Sequence, residues 1–142
     1  MTERADRRTI LVVDDEPHVV AYLEMLLQDQ GYATVSAANG REGLERARAE
    51  GPDLICLDIT MPEESGVRMY RSLKEDPELA SIPVLIVTAV TGLGGDPEPF
   101  RHFLSTRKGT PPPEAFFSKP IEREAFLAKV SEVLARPAVT TQ

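Results

Sequence analysis

The sequence has a single cysteine, no long apolar run and no dense group of basic residues, and each scarcity excludes a class of protein. Cys56 has no second cysteine for an internal disulfide, and its place in an apolar run indicates a small buried side chain in a reducing cytoplasm. The apolar runs are too short to cross a membrane, and residues 1–8 lack the apolar core of a secretion signal. A net charge of −7 without a Lys/Arg stripe gives little support for nucleic-acid binding. We therefore expect a soluble, cytoplasmic protein that binds neither membranes nor nucleic acid directly.

The length and composition indicate one globular domain. A chain of 142 residues with 42% hydrophobic and 27% charged residues can bury a core without disulfides or metal. We predict a folded domain over residues 9–135, preceded by a flexible N-terminus at residues 1–8 and followed by a tail at residues 136–142.

Short apolar runs alternate with helical patterns along the chain, which is typical of an α/β protein with a parallel sheet. The predicted strands are short and mostly rich in β-branched residues, and they cover residues 10–13, 32–37, 54–57, 84–87 and 115–118. One predicted helix starts at Pro17 and stops at Gly31, and the others cover residues 41–50, 65–74 and 121–135. The first helix is expected to bury an apolar stripe that consists of Val20, Leu23, Met25, Leu26 and Leu27.

The connection between the fourth and fifth predicted strands is irregular and enlarged. It spans the 31 positions from Thr88 to Lys119 and is rich in glycine and proline, although residues 99–105 could form a short helix. A loop of this length in a compact domain is usually functional or mobile. The segment predicts either a site for a partner protein or a tolerated insertion.

Polar residues follow the ends of four of the five predicted strands. They are Asp14 with Asp15, Asp58, Thr88 and Lys119. Each has an ordinary interpretation as a helix cap, a loop residue or a solvated strand end. Because ligands bind beyond the carboxyl ends of parallel strands in such sheets, the coincidence favours one shared site.

These residue types suit phosphoryl transfer assisted by a divalent cation. Neighbouring carboxylates repel one another, and Mg²⁺ relieves the repulsion by taking oxygen ligands. A carboxylate can attack phosphorus as a nucleophile and give an aspartyl phosphate. A lysine ammonium and a threonine hydroxyl can bind the phosphoryl oxygens.

Several segments between Thr9 and Ala135 resemble the receiver domains of two-component response regulators. The resemblance is carried by residues 10–17 (ILVVDDEP), 52–62 (PDLICLDITMP), Gly66, 87–89 (VTA) and 117–120 (FSKP). It implies a doubly wound, flavodoxin-like sheet of five parallel strands in the order 2-1-3-4-5. It also implies a signalling protein that is not an enzyme, except that it catalyses its own Mg²⁺-dependent phosphorylation and dephosphorylation.

The same resemblance implies a phosphoacceptor and a metal site. Asp58 would accept a phosphoryl group from a histidine kinase or a phosphotransfer protein. Mg²⁺, with Mn²⁺ as an alternative, would be bound by the carboxylates of Asp14, Asp15 and Asp58 and by the backbone carbonyl of Thr60.

The resemblance further implies a switch and an output. Lys119, aimed by a cis peptide bond to Pro120, would pair with the phosphoryl group, while Thr88 and Phe116 would move inward. Plain core packing is the alternative for Phe116. Because only a short tail follows residue 135, we expect a stand-alone receiver, unless the chain is truncated, that acts as a monomer or weak homodimer on a protein target in trans.

Two other hypotheses stay open. A receiver fold could serve as a phosphorylation-independent adaptor, although such adaptors commonly lose one of the residues that this chain keeps at positions 15, 58, 88 and 119. A phosphatase of the haloacid dehalogenase type commonly needs a second Asp two residues after the nucleophile, where this chain has Thr60.

Overall fold

A computed structural model describes residues 8–60, 65–89 and 113–135. This part of the chain contains five strands, which are β1 (Thr9–Val13), β2 (Ala33–Ala37), β3 (Leu54–Asp58), β4 (Val84–Ala89) and β5 (Ala115–Lys119). It contains four helices, which are α1 (Pro17–Asp29), α2 (Gly40–Glu50), α3 (Ser65–Glu75) and α4 (Arg123–Ala135). The helix predicted for residues 99–105, most of the Gly/Pro-rich connection and the tail at residues 136–142 lie outside the described residues.

The sheet has the topology that the alternating pattern predicts. Its strands are all parallel and have the order β2-β1-β3-β4-β5, which confirms a doubly wound α/β fold. After β2 the chain returns to the other side of β1, so the strand order reverses between β1 and β3. In this register Val13 lies opposite Leu57, and Ala89 lies opposite Lys119. The carboxyl ends of β1, β3, β4 and β5 therefore meet along one edge of the sheet.

Helices cover both faces of the sheet. One core contains Leu27 of α1 and Phe126 of α4, and the core on the opposite face contains Ala47 of α2 and Tyr70 of α3. Strand β3 is buried along its whole length, as expected for a strand covered on both faces. Its Cys56 is a buried free thiol, as predicted. Among the described residues, no helix combines the length and the apolar character needed to cross a membrane.

Local polar signals set the ends of α2. The side chain of Asn39 accepts a hydrogen bond from the N–H of Glu42 at 2.8 Å, and the Glu42 carboxylate accepts one from the N–H of Ala38 at 2.9 Å. This reciprocal cap satisfies backbone donors that the helix itself leaves unpaired. At the other end, Gly51 takes a left-handed conformation with φ of 56°, which glycine adopts without a Cβ penalty.

Two details of the helix predictions are wrong. Met25 is 54% exposed, because it lies off the buried stripe of α1. That stripe consists of Leu23, Leu26 and Leu27. Helix α4 begins at Arg123 and not at residue 121. The Glu122 carboxylate accepts hydrogen bonds from backbone N–H groups of the first turn, which marks the true start.

We predict that Leu27→Ala lowers the free energy of unfolding by about 2–5 kcal/mol, because it removes a fully buried side chain and leaves a cavity. Met25→Ala on the same helix serves as the matched control and should change it by no more than about 0.5 kcal/mol. Urea unfolding followed by circular dichroism measures both. Equal losses in the two variants would contradict the assigned buried face of α1.

Candidate functional site

Polar side chains lie at the carboxyl ends of four strands. Asp14 directly follows β1, whereas Asp58, Thr88 and Lys119 occupy the last or second-to-last position of β3, β4 and β5. Asp14, Asp58 and Thr88 are the buried polar side chains here, with exposed fractions of 2%, 1% and 1%. Burial of such groups is costly unless nearby groups compensate for the lost water. The site therefore depends on the charges and donors around these side chains.

The first feature of the site is an acidic cluster. Asp14, Asp15 and Asp58 each offer a carboxylate oxygen, and these atoms lie within 4.8 Å of one another. The N–H of Glu16 donates to Oδ1 of Asp14 at 2.9 Å. Oδ2 of Asp14 is buried and has no aligned hydrogen-bond donor in the described part of the chain. Asp15 is exposed, so the cluster reaches from the core to solvent.

The second feature is the ammonium of Lys119, which balances the acidic cluster. Its Nζ lies 3.0 Å from Oδ2 of Asp14, 3.4 Å from Oδ2 of Asp58 and 3.4 Å from Oε1 of Glu16. The contact with Asp14 is an ion pair without hydrogen-bond alignment. Burial alone would lower the pKa of Lys119, but the surrounding carboxylates more than reverse this effect and raise it. The lysine is therefore a fixed cation shared among three carboxylates.

Asp14 titrates unlike an ordinary aspartate. Burial is the main cause that raises its pKa from 3.8 to about 6. The hydrogen bond from the Glu16 N–H and the nearby Lys119 lower the pKa, whereas the charge of Asp58 raises it. The ionised form of Asp14 is therefore only partly compensated, which is the condition under which a cation binds favourably.

The carboxylate of Asp58 makes different contacts at its two oxygens. Oδ1 accepts hydrogen bonds from the backbone N–H of Thr60 at 2.8 Å and from the Thr60 hydroxyl at 2.6 Å. Oδ2 faces Lys119. The side chain is thus held in one orientation at the end of β3.

The remaining predicted residues lie on β4 and β5. Thr88 follows Val87, which lies opposite Asp58 in the sheet, so Thr88 is one position further toward the site. Phe116 is partly buried against the core beneath α2 and α3, and its role as a switch stays a prediction. The Lys119–Pro120 peptide bond is cis.

Comparison with known proteins identifies the family. The sequence profile of the "Response regulator receiver domain" matches residues 10–94. The chain belongs to this family. It is 36% identical over 127 residues to a polar-differentiation response regulator DivK from Brucella anthropi, a match that covers 89% of this chain and 96% of the relative. The DivK of Brucella ovis is 35% identical with the same coverage.

Solved receiver structures have the same fold as this chain. A putative response regulator from Chloroflexus aurantiacus superposes with a TM-score of 0.77 at 27% identity, covering 92% of this chain and 99% of that one. The chemotaxis response regulator CheY4 of Vibrio cholerae superposes with a TM-score of 0.74 at 26% identity, covering 89% and 98%. These proteins are signalling receivers of two-component systems, and the chain shares that class.

Receiver domains bind Mg²⁺ at an acidic pocket, and the acidic cluster fits such an ion. The evidence is the buried Asp14 oxygen that lacks an aligned hydrogen-bond donor, together with two further carboxylates at a separation that one small cation spans. Oxygen ligands are also the kind that Mg²⁺ and Mn²⁺ prefer.

Two contacts of this site were not predicted from the sequence. Glu16 reaches Lys119, and the Thr60 hydroxyl reaches Asp58, although only the backbone carbonyl of Thr60 was expected to act. The available signal was that Glu16 lies next to the acidic pair and Thr60 lies two residues from Asp58. Sequence alone does not give the direction of a side chain, so neither contact could be inferred.

Gly66 allows α3 to begin directly against the backbone of Asp58. A Cβ at this position would overlap the backbone carbonyl oxygen of Asp58 and would lie 2.7 Å from the Cα of Ile59. Both obstacles are backbone atoms, which cannot rotate away. Gly43 of α2 differs, because a Cβ there would meet Sδ of Met69 at 2.6 Å, at the flexible end of a side chain.

We predict that Gly66→Ala lowers the free energy of unfolding by about 1–3 kcal/mol and displaces Asp58, because the backbone must separate from α3. Gly43→Ala is the matched control: Met69 can move, and alanine favours the helix, so its loss should be smaller. Urea unfolding measures stability, and amide chemical shifts of residues 58–60 report the displacement. Unchanged shifts in a destabilised Gly66→Ala variant would contradict the proposed positioning of Asp58.

We predict that Asp14→Asn stabilises the metal-free protein by about 1–3 kcal/mol at pH 7.5. The pKa of Asp14 is higher in the folded protein, about 6, than its ordinary 3.8. Protonation therefore stabilises the fold fully below pH 3.8, and this contribution is lost as the pH rises through about 6. The neutral amide avoids that loss, so the difference in the free energy of unfolding between the variant and wild type should shrink at pH 4.5.

Urea unfolding in EDTA at both pH values measures the difference in the free energy of unfolding between Asp14→Asn and wild type. A less stable variant at pH 7.5 would mean that the Lys119 ion pair outweighs burial.

Proposed function

We propose that this receiver accepts a phosphoryl group on Asp58 from the phosphohistidine of a histidine kinase or phosphotransfer protein. The observation that carries the proposal is the buried Asp58 carboxylate, held next to Lys119 at the edge of an acidic cluster. In the reaction an oxygen of Asp58 forms a bond to phosphorus and the P–N bond breaks. The electron pair of that bond returns to the imidazole nitrogen.

The residues of the site have distinct roles in this proposal. The carboxylates of Asp14, Asp15 and Asp58 and the backbone carbonyl of Thr60 would hold a Mg²⁺ ion, which would neutralise part of the phosphoryl charge. The ammonium of Lys119 binds one phosphoryl oxygen, and the hydroxyl of Thr88 donates to another.

The proposed signal is a change in the contacts of Lys119 and Thr88. A phosphoryl group brings a dianionic charge that competes with Glu16 and Asp14 for the shared ammonium. Thr88 and Phe116 then move inward, and the surface around β5 and α4 changes in shape. A protein target in trans binds this surface when Asp58 is phosphorylated.

Incubation with acetyl phosphate tests the proposal without a known kinase. We expect intact-mass spectrometry to show a gain of one phosphoryl group that requires Mg²⁺ and is absent in Asp58→Asn, because the amide is not a nucleophile. Beryllofluoride, a phosphoryl mimic, should change the amide spectrum of the wild-type protein even if the phosphoryl group is hydrolysed quickly. Failure of both reagents would favour the phosphorylation-independent adaptor.

A further inference from the structure

Strand β2 forms an outer edge of the sheet, and one side of its backbone is unpaired. Among the described strands it pairs with β1 alone. The N–H of Ala33 and the carbonyl of Ala37 form hydrogen bonds of 2.8 and 3.1 Å with the residues that flank β1. Since backbone groups alternate in direction along a strand, the N–H and C=O groups of Thr34 and Ser36 point away from the sheet. No described residue forms a hydrogen bond with these groups.

This edge lacks the features that usually prevent a strand from pairing with another chain. Native edge strands are commonly protected by charged side chains, prolines or bulges. The sequence of β2, ATVSA, contains neither a charged residue nor a proline, and its pairing with β1 runs without a bulge over residues 33–37. The outward backbone groups of Thr34 and Ser36, here called the open edge, can therefore accept an additional strand.

A cavity of about 400 Å³ lies at the end of the open edge. Helices α1 and α2 cover opposite faces of the sheet, yet both line this cavity, together with Ser36 and Ala38. The cavity therefore lies at the corner where the open edge meets the carboxyl edge of the sheet. A segment that pairs with the open edge would bring a side chain to this corner cavity.

The corner cavity is predominantly acidic. Its charged lining residues are four carboxylates and one guanidinium, which belong to Asp14, Asp15, Glu24, Glu42 and Arg46. The guanidinium of Arg46 lies 3.7 Å from the carboxylate of Glu50, which compensates part of its charge. Val20 and Ala21 add an apolar part to the wall. This lining favours a side chain with an aliphatic stem and a positive end.

Two of the four carboxylates are held in place and are still able to bind a cation. Oε2 of Glu24 accepts a hydrogen bond from the Thr34 hydroxyl at 3.1 Å, and Oε1 of Glu42 accepts one from the N–H of Ala38 at 2.9 Å. Each contact uses one oxygen, and no described residue donates to the other oxygen of either carboxylate. The remaining two carboxylates of the cavity belong to the acidic cluster that fits Mg²⁺.

We propose that an extended segment of a partner protein pairs with the open edge and places a lysine or arginine side chain in the corner cavity. Backbone hydrogen bonds to Thr34 and Ser36 give affinity, and the basic side chain, bound by Glu24 and Glu42, gives specificity. A second copy of this chain fits less well, because β2 has no basic residue to place in the cavity of its neighbour. The docking does not require a phosphoryl group on Asp58.

Peptide titration of the ¹⁵N-labelled protein tests the proposal. The probes are two end-blocked peptides, Thr-Val-Lys-Val-Thr and Thr-Val-Glu-Val-Thr. They are added to the unphosphorylated protein in excess Mg²⁺, so that the acidic cluster is not available to the peptide. We expect the lysine peptide to shift the amide signals of Thr34 and Ser36 and to slow their hydrogen exchange. It should bind about fivefold more tightly than the glutamate peptide.

Two pairs of variants separate the backbone contacts from the charge. Ser36→Pro removes an outward N–H, which an edge strand tolerates, whereas Ser36→Ala keeps it. The double variant Glu24→Gln/Glu42→Gln removes both charges and keeps the acceptor oxygens, and Glu45→Gln on the exposed surface of α2 is its control. We expect Ser36→Pro and the double variant each to weaken binding of the lysine peptide about fivefold, and both controls to stay within about twofold of wild type.

Circular dichroism establishes that each variant is folded. If Ser36→Pro is not folded, a lysine peptide that is N-methylated at alternate residues replaces it, because that peptide cannot donate to the open edge. Three results would overturn the proposal. They are no binding of the lysine peptide at millimolar concentration, equal affinity for the two peptides, and self-association of the wild-type protein in sedimentation velocity that Ser36→Pro abolishes. The last result would assign the open edge to a second copy of the chain.

Discussion

The structure depends on the compensation of buried negative charge at the carboxyl edge of the sheet. Asp14 and Asp58 are almost fully buried and lie close enough to repel each other. Lys119 offsets this repulsion, although it lies 61 positions from Asp58 in sequence and two strands away in the sheet. The compensation requires the carboxyl ends of β1, β3, β4 and β5 to lie side by side at the same edge of the sheet. The register of the parallel sheet is therefore the condition for the site.

The compensation is incomplete, and this is the condition under which the proposed binding of a cation and a phosphoryl group would be favourable. One ammonium faces three carboxylates at 3.0 to 3.4 Å, and one buried oxygen of Asp14 has no aligned donor in the described part of the chain. A bound cation would lower the energy of this arrangement by giving the Asp14 oxygen that lacks an aligned donor a further positive partner. In the proposed function, a phosphoryl group would give Lys119 a more strongly charged partner than any single carboxylate. The cation and the phosphoryl group would thus both act on carboxylates that repel one another and that the sheet holds close together.

The sequence predicted the sheet and the positions of the site residues because these follow from the backbone pattern. Runs such as residues 10–13 and 54–57 are apolar throughout, and the residue type changes sharply at Asp14 and Asp58. The directions of the side chains, in contrast, do not follow from the backbone pattern. The exposure of Met25 and the contact of Glu16 with Lys119 depend on which neighbours the fold brings close, and no local pattern records these neighbours. Most of the connection that was predicted to be irregular, at residues 88–119, lies outside the described residues.

The position of Lys119 is set by strand pairing and not by the connection that precedes it. The family profile matches only as far as residue 94, yet Lys119 lies opposite Ala89 and reaches Asp58. The cost of closing a flexible loop grows slowly, by about 0.6 kcal/mol for each doubling of its length. The pairing of β4 with β5 along five successive residue pairs is enough to fix the position of Lys119. The connection can therefore differ in length and composition between receivers while the site keeps its geometry.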